Sequence, residues 1–171
     1  RTESFLTEFV MEFQDAQVKS LSMWDPNKYV NIWIVRDVIS ASQGPGVTGY
    51  ASFPASHGSP LDGIVGEARF FQPSQDRISV FTHEAGHYLG LYHSFEGGCR
   101  NSDCMRDGDR VCDTPPDNTT ACPPCGFPAN SCDTDTQSGF GTDQLDLKNP
   151  YMDYRNLECY NAFTEGQKDR M

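Results

Sequence analysis

The sequence predicts an α+β fold built from two unlike halves, and three observations carry this. The run Tyr29-Val30-Asn31-Ile32-Trp33-Ile34-Val35 is β-branched and aromatic almost throughout and reads as a buried strand. Residues Gln75 to Leu89 read as a helix that stops at Gly90, a residue suited to a left-handed helix end. All seven cysteines (Cys99, Cys104, Cys112, Cys122, Cys125, Cys132 and Cys159) fall in the last 73 of 171 residues, among Gly, Pro, Asp and Asn. Such a segment reads as irregular backbone stapled by disulfides. The length suits one domain with a core of its own.

In chain order, Phe5, Leu6, Phe9, Val10 and Phe13 have helix-like spacing and predict a helix within Arg1 to Ser20. Trp24-Asp25-Pro26-Asn27 reads as a turn before the strand. Gln43 to Gly63 is rich in glycine and proline and predicts loop, with one short strand around Tyr50 to Phe53. Gly63 to Phe71 is a second strand candidate, and Pro73-Ser74 introduces the helix that follows. Gly97 to Asp146 is turn chemistry nearly without interruption, and Phe163 to Met171 predicts the start of a closing helix.

Charge excludes one class of function. With 24 acidic against 13 basic residues and no basic stripe, the chain is not a nucleic-acid binder. No apolar run is long enough to cross a bilayer as a helix. Clustered carboxylates in the second half suit calcium. Dense cysteines point to an oxidising, extracellular compartment, and Asn118-Thr119-Thr120 is an N-glycosylation pattern that agrees with it. Seven is an odd number, so one thiol is free, pairs outside the chain or serves a latency mechanism. Arg1 reads as the start of a processed or partial chain.

The segment that carries chemistry is His83-Glu84-Ala85-Gly86-His87-Tyr88-Leu89-Gly90-Leu91-Tyr92-His93. His83 and His87 are four residues apart and so share one helix face. Two imidazoles so placed can bind one zinc ion, and Gly90 lets the backbone turn sharply so that His93 becomes the third ligand. Three protein ligands leave a fourth position for water, the arrangement of a catalytic zinc. Zinc acidifies that water, and Glu84, beside the first ligand, is placed to take its proton and pass it to the departing amine. A lone His-x-x-x-His pair is often accidental. Here three of the four histidines share one window of eleven residues with the required Glu and Gly, and His57 alone lies elsewhere, in a loop open to solvent.

This extended motif resembles that of the metzincin metallopeptidases. Asn149-Pro150-Tyr151-Met152-Asp153-Tyr154 is similar to their methionine turn, which makes Met152 an apolar floor beneath the zinc and Tyr154 a group that approaches the metal or the tetrahedral intermediate. Within the clan the chain resembles the pappalysin family, of which the ulilysin-type enzymes are compact members. The matching pieces are Trp24-Asp25-Pro26, Tyr29 to Trp33, Gly49-Tyr50-Ala51, Phe53-Pro54, Gly108 to Pro115, Phe163-Thr164, Gln167 and Arg170-Met171.

The resemblance implies a zincin-like fold. A twisted, mostly parallel sheet and an active-site helix form an upper subdomain (1–90), set over an irregular, disulfide-rich lower subdomain (91–171), the two making one catalytic domain. The strand at Gly63 to Phe71 would be the sheet edge on which an extended substrate pairs. Calcium in the lower subdomain falls to Asp109, Asp113 and Thr114, with Asp107 behind them. The family's initial strand, helix and strand would precede Arg1, so the partner expected besides substrate is that missing segment or another chain. Relatives that cut beside basic residues carry an Asp where Leu157 stands, with Glu158 alongside, so that preference does not transfer. Cys159 is expected to pair with Cys122 or Cys125, and Cys132 within the Cys99–Cys112 region. The activity implied is that of a secreted zinc endopeptidase. The alternative is a secreted, zinc-containing adhesive or assembly module without catalysis.

Overall fold

The structure, a computed structural model, describes residues 9–71, 75–118, 124, 127–154 and 159–171, with backbone alone at 71 and 75–78. The chain divides into two compact units, Arg1–Tyr88 and Leu89–Met171.

In the first unit, helix α1 spans Met11–Ser20, a shorter helix than the aromatic spacing predicts. Phe5 and Leu6 lie outside the described residues, Phe9 and Val10 precede the helix, and Phe13 is 79% exposed. The reason lies at Val10, whose extended backbone bridges Ile39 and whose N–H donates to Gln14 Oε1 at 2.7 Å. The helix therefore starts one residue later and buries Val18 and Lys19. A buried ammonium needs partners. Lys19 finds Asp15 at 3.0 Å, the Leu61 carbonyl at 2.6 Å and the faces of Tyr50 and Trp33.

Five strands follow: β1 (Ile32–Val35), β2 (Val38–Ser40), β3 (Gly44–Val47), β4 (Gly49–Ala51) and β5 (Ile64–Glu67). The stretch expected to be mostly loop thus holds two strands. β2 and β3 form an antiparallel pair, and the main sheet runs β1-β5-β4. β1 lies parallel to β5 with Ile32 opposite Ile64, whereas β4 lies antiparallel to it with Gly49 opposite Gly66. Among the described residues the sheet is mixed, with one parallel and one antiparallel pair. β5 is interior, which corrects the expectation that it forms the edge. It pairs with β1 on one side and β4 on the other, and all four of its residues are buried, so both of its faces are covered. β1 and β4 are the edges among the described residues.

β1 is not the fully buried strand its composition suggests. Trp33 is buried, whereas Ile32 and Ile34 are 49% and 53% exposed. This alternation belongs to a strand with one covered face. Phe9, Val18, Trp33, Val38 and Val65 make the core of this unit. Helix α2 (Gln75–Tyr88) packs on β4 and β5, with the Phe81 ring against Gly66 where a Cβ would collide.

The second unit holds a 3-10 turn at Asp135–Ser138 and helix α3 (Glu165–Arg170) among its described residues. Cys99 pairs with Cys132 and Cys104 with Cys112. Cys159 is also disulfide-bonded, while Cys122 and Cys125 lie outside the described residues. α3 begins with a capping box between Thr164 and Gln167. Asp113 reinforces it, accepting hydrogen bonds from Thr164 Oγ1 at 2.7 Å and Gly166 N at 2.8 Å.

Candidate metal centre and active site

The last two turns of α2 place His83 and His87 on one face, with their Nε2 atoms 3.1 Å apart and both rings buried. Two nitrogens sharing a tetrahedral zinc at 2.0–2.1 Å would be about 3.3 Å apart, so this spacing suits a common ion. Phe53 packs on the His87 ring with centroids 5.5 Å apart. Gly90 follows the helix with φ +102°, a conformation that side chains resist. Beyond it, His93 supplies the third donor, and the ligand atoms of His83, His87 and His93 all lie within 4.8 Å of one another. The sequence-predicted triad is therefore assembled as three imidazoles, a donor set that suits zinc.

His93 is oriented from two sides. Its ring stacks on Phe95 at 4.7 Å and meets the Tyr154 ring edge-on at 4.6 Å. The residue after it, Ser94, donates both its N–H and its hydroxyl to the Met152 carbonyl, at 2.8 and 3.0 Å. Met152 is fully buried and Asp153 nearly so, while Tyr154 is half exposed. The methionine segment is thus tied to the third histidine through main chain. Arg170, at the end of α3, donates from Nε to the Gly90 carbonyl at 2.9 Å, and its guanidinium lies over the Tyr92 ring.

Glu84 is 5% exposed, and burial pushes its carboxyl up to about 8. It lies against edge strand β4. A Cβ added to Gly49 would stand 3.3 Å from Glu84 Cγ and 3.4 Å from its Oε1. The glycine leaves room for the carboxylate beside the strand.

Asp109 and Thr114 are brought together: the Thr114 hydroxyl meets both carboxylate oxygens, at 2.8 and 2.7 Å, and Val111 N donates to Oδ1 at 3.0 Å. Burial pushes the Asp109 carboxyl up to about 6, against the pull of Thr114, Val111 and Arg170. Asp113 acts on Asp109 by charge, but its oxygens cap α3. Asp107 closes its own turn with Ser102 and Asp103. His57 is not simply solvated; its Nδ1 lies 3.0 Å from the buried Asp62. Leu157 and Glu158 lie outside the described residues. Sequence reasoning missed the parts played by Phe53, Phe95 and Arg170, because aromatic contacts and a bond spanning eighty residues leave no local periodicity.

The profile of peptidase family M43, described as Pregnancy-associated plasma protein-A, matches residues 12–171. The chain belongs to this family, the pappalysins. Pappalysin relatives include an extracellular metalloprotease of Verticillium alfalfae, 38% identical over 133 residues that cover 72% of this chain and 42% of that protein. Another, from Colletotrichum graminicola, is 31% identical over 157 residues, covering 83% and 47%. The fold resembles mature mirolysin of Tannerella forsythia in complex with a cleaved peptide, with TM-score 0.68 and 26% identity over 96% of this chain and 60% of that one. A promirolysin mutant from the same organism gives TM-score 0.70 and 27% identity, covering 98% and 53%. This pappalysin chain spans less than half the length of the curated relatives it matches.

Proposed function

We propose that this chain is the catalytic part of a secreted zinc-dependent endopeptidase acting on extracellular proteins or peptides. The observation that carries the reading is the convergence of His83, His87 and His93, with buried Glu84 on the same helix and beside edge strand β4. The mirolysin bound to a cleaved peptide and the extracellular metalloproteases among the relatives support both the substrate class and the compartment.

When bound, zinc supplies a Lewis acid that polarises the scissile carbonyl and acidifies a water. The three imidazoles hold it. Glu84 accepts the proton at its carboxylate and returns it to the leaving amine. Burial alone raises the pKa of its carboxyl, and a neighbouring cation would draw it down into the working range of a base. Tyr154, beside His93, donates its phenol hydrogen to the developing oxyanion. Met152 serves as a dry, rigid floor. β4, an edge of the sheet among the described residues, pairs with an extended substrate, a role that passes to it from β5. The open face of β1, with Ile32 and Ile34 exposed, fits a further covering segment of strand and helix. Asp109 and Thr114 form the core of a calcium site, with Asp113 on its border, since unliganded burial of Asp109 is unfavourable.

The test is hydrolysis of a quenched peptide mixture by the processed protein. Chelator should abolish cleavage and zinc restore it. Intact zinc binding without cleavage of any peptide would favour the adhesive or assembly module.

A further inference from the structure

Strand β4 and the turn that follows it present alternate residues to helix α2. Thr48 O accepts from Glu67 N at 3.0 Å, and Ser52 N donates to Gly63 O at 3.0 Å. With Tyr50 opposite Val65, the ladder to β5 uses Thr48, Tyr50 and Ser52. The N–H and C=O groups of Gly49 and Ala51 therefore turn away from β5, to the side where no strand pairs among the described residues. Side chains alternate along the same run. Tyr50 reaches α1, where its hydroxyl donates to Asp15, whereas position 49 faces Glu84 and Phe53 faces His87, both on α2.

Phe53 is held as a fixed wall. Its backbone is extended, Pro54 follows it, and its carbonyl closes a 3-10 turn by accepting from Ser56 N at 2.9 Å. The return of this loop to β5 is pinned by Asp62, whose carboxylate is buried. It meets Gly58 N at 2.8 Å, Ser52 Oγ at 3.3 Å, His57 Nδ1 at 3.0 Å and the Tyr88 hydroxyl. Tyr88 directly follows His87, so the loop from Ser52 to Asp62 is tied to the same end of α2 that carries the zinc ligand. The Phe53 side chain remains partly exposed, although its ring centroid lies 5.5 Å from that of His87.

A peptide paired with Gly49 and Ala51 would extend past Phe53. Strand residues advance by about 3.3 Å each, so the substrate side chain that meets a ring seated on a zinc ligand belongs within about two residues of the bond that is cut. An aromatic face that is rigid before binding offers apolar contact with little ordering left to lose. We propose that Phe53 is a specificity-determining residue, one wall of a subsite for an apolar substrate side chain beside the scissile bond. The inference rests on the endopeptidase reading and deepens it.

The experiment is a cleavage profile of the processed protein at saturating zinc, with quenched peptides varied at one position at a time on either side of the cut. Wild type is compared with Phe53→Ala, Phe53→Leu and Phe53→Trp. Wild type should favour apolar over charged residues at one such position, and Phe53→Ala should reduce that selectivity by about tenfold or more at that position alone. Phe53→Leu should keep the apolar preference while admitting larger side chains, and Phe53→Trp should move it to smaller ones. Binding of the same peptides to Glu84→Gln protein, with and without Phe53→Ala, reads the subsite without turnover and should show the same dependence on position. A loss equal for every peptide, in cleavage and in binding, would overturn the proposal, since a ring that only props His87 does not distinguish one peptide from another. So would a profile that none of the three substitutions alters. A wild type that cuts no peptide would instead remove the endopeptidase reading, and this inference with it.

Discussion

Arg170 Nε donates to the Gly90 carbonyl at 2.9 Å, linking the end of α3 to the glycine that turns the chain towards His93. A carbonyl just past a helix end lacks an intrahelical partner, and a guanidinium satisfies it while its charge suits the local dipole. Tyr92 is held against both Arg110 and Arg170, at 4.8 and 5.2 Å from its ring centroid. The path from Gly90 to His93 is therefore clamped by side chains remote in sequence. Groups that orient ligands usually matter by 10–100-fold in metal affinity. Arg170→Gln should weaken zinc binding by about tenfold with little change in melting temperature. Competition against a chromophoric chelator measures this, and an unchanged zinc affinity would show that the clamp does not position the ligand.

Glu84→Gln keeps the size and the burial of the side chain but cannot accept a proton. Zinc content should stay at one ion per chain, while kcat falls by at least about 10²-fold. Full activity in that variant would remove Glu84 from its assigned role.

The motif from His83 to His93 was legible because its geometry is local. Four residues make one helical turn, and a glycine marks where the turn ends. The sheet was less legible. Apolar content suggested burial for the whole of Tyr29 to Val35, but Ile32 and Ile34 are half exposed on a strand that is an edge among the described residues, and tertiary packing alone decides that. β2 has only three residues and β3 is Gly-Pro-Gly-Val, so neither carries a periodic signal, and their pairing, with Val38 opposite Val47, makes them. The family resemblance groups Asp109, Asp113 and Thr114 as calcium candidates within one turn. Gly166 and Thr164, fifty residues on, engage Asp113 for α3.

Gly63 tests the sheet's packing. Its φ is +117°, and an added Cβ would stand 2.5 Å from Trp33 Cζ3 and 2.7 Å from the Asn31 carbonyl oxygen. Gly63→Ala is strained by backbone and by contact together, and should cost roughly 2–4 kcal/mol. Urea unfolding measures it. A loss under about 0.5 kcal/mol would mean that β1 and β5 part easily at this end.

Asp109 gives a prediction in pH. Its folded carboxyl titrates at about 6, raised chiefly by burial, against about 3.9 in an unfolded chain. The folded state therefore holds this proton more tightly. Its contribution to stability is complete below about pH 3.9 and is lost as pH rises through about 6. Across that window the loss is on the order of 3 kcal/mol in calcium-free buffer. Other carboxylates titrate over the same range, so the quantity to follow is the difference between wild type and Asp109→Asn. That difference should shift against wild type between pH 4 and pH 7 in chelator, and shrink when calcium is restored and binds the ionised carboxylate. Urea unfolding at four pH values, with and without calcium, supplies the numbers. A difference that stays flat with pH would mean that Asp109 ionises in the folded state as easily as in water, and the case for a cation beside it would go with the shift.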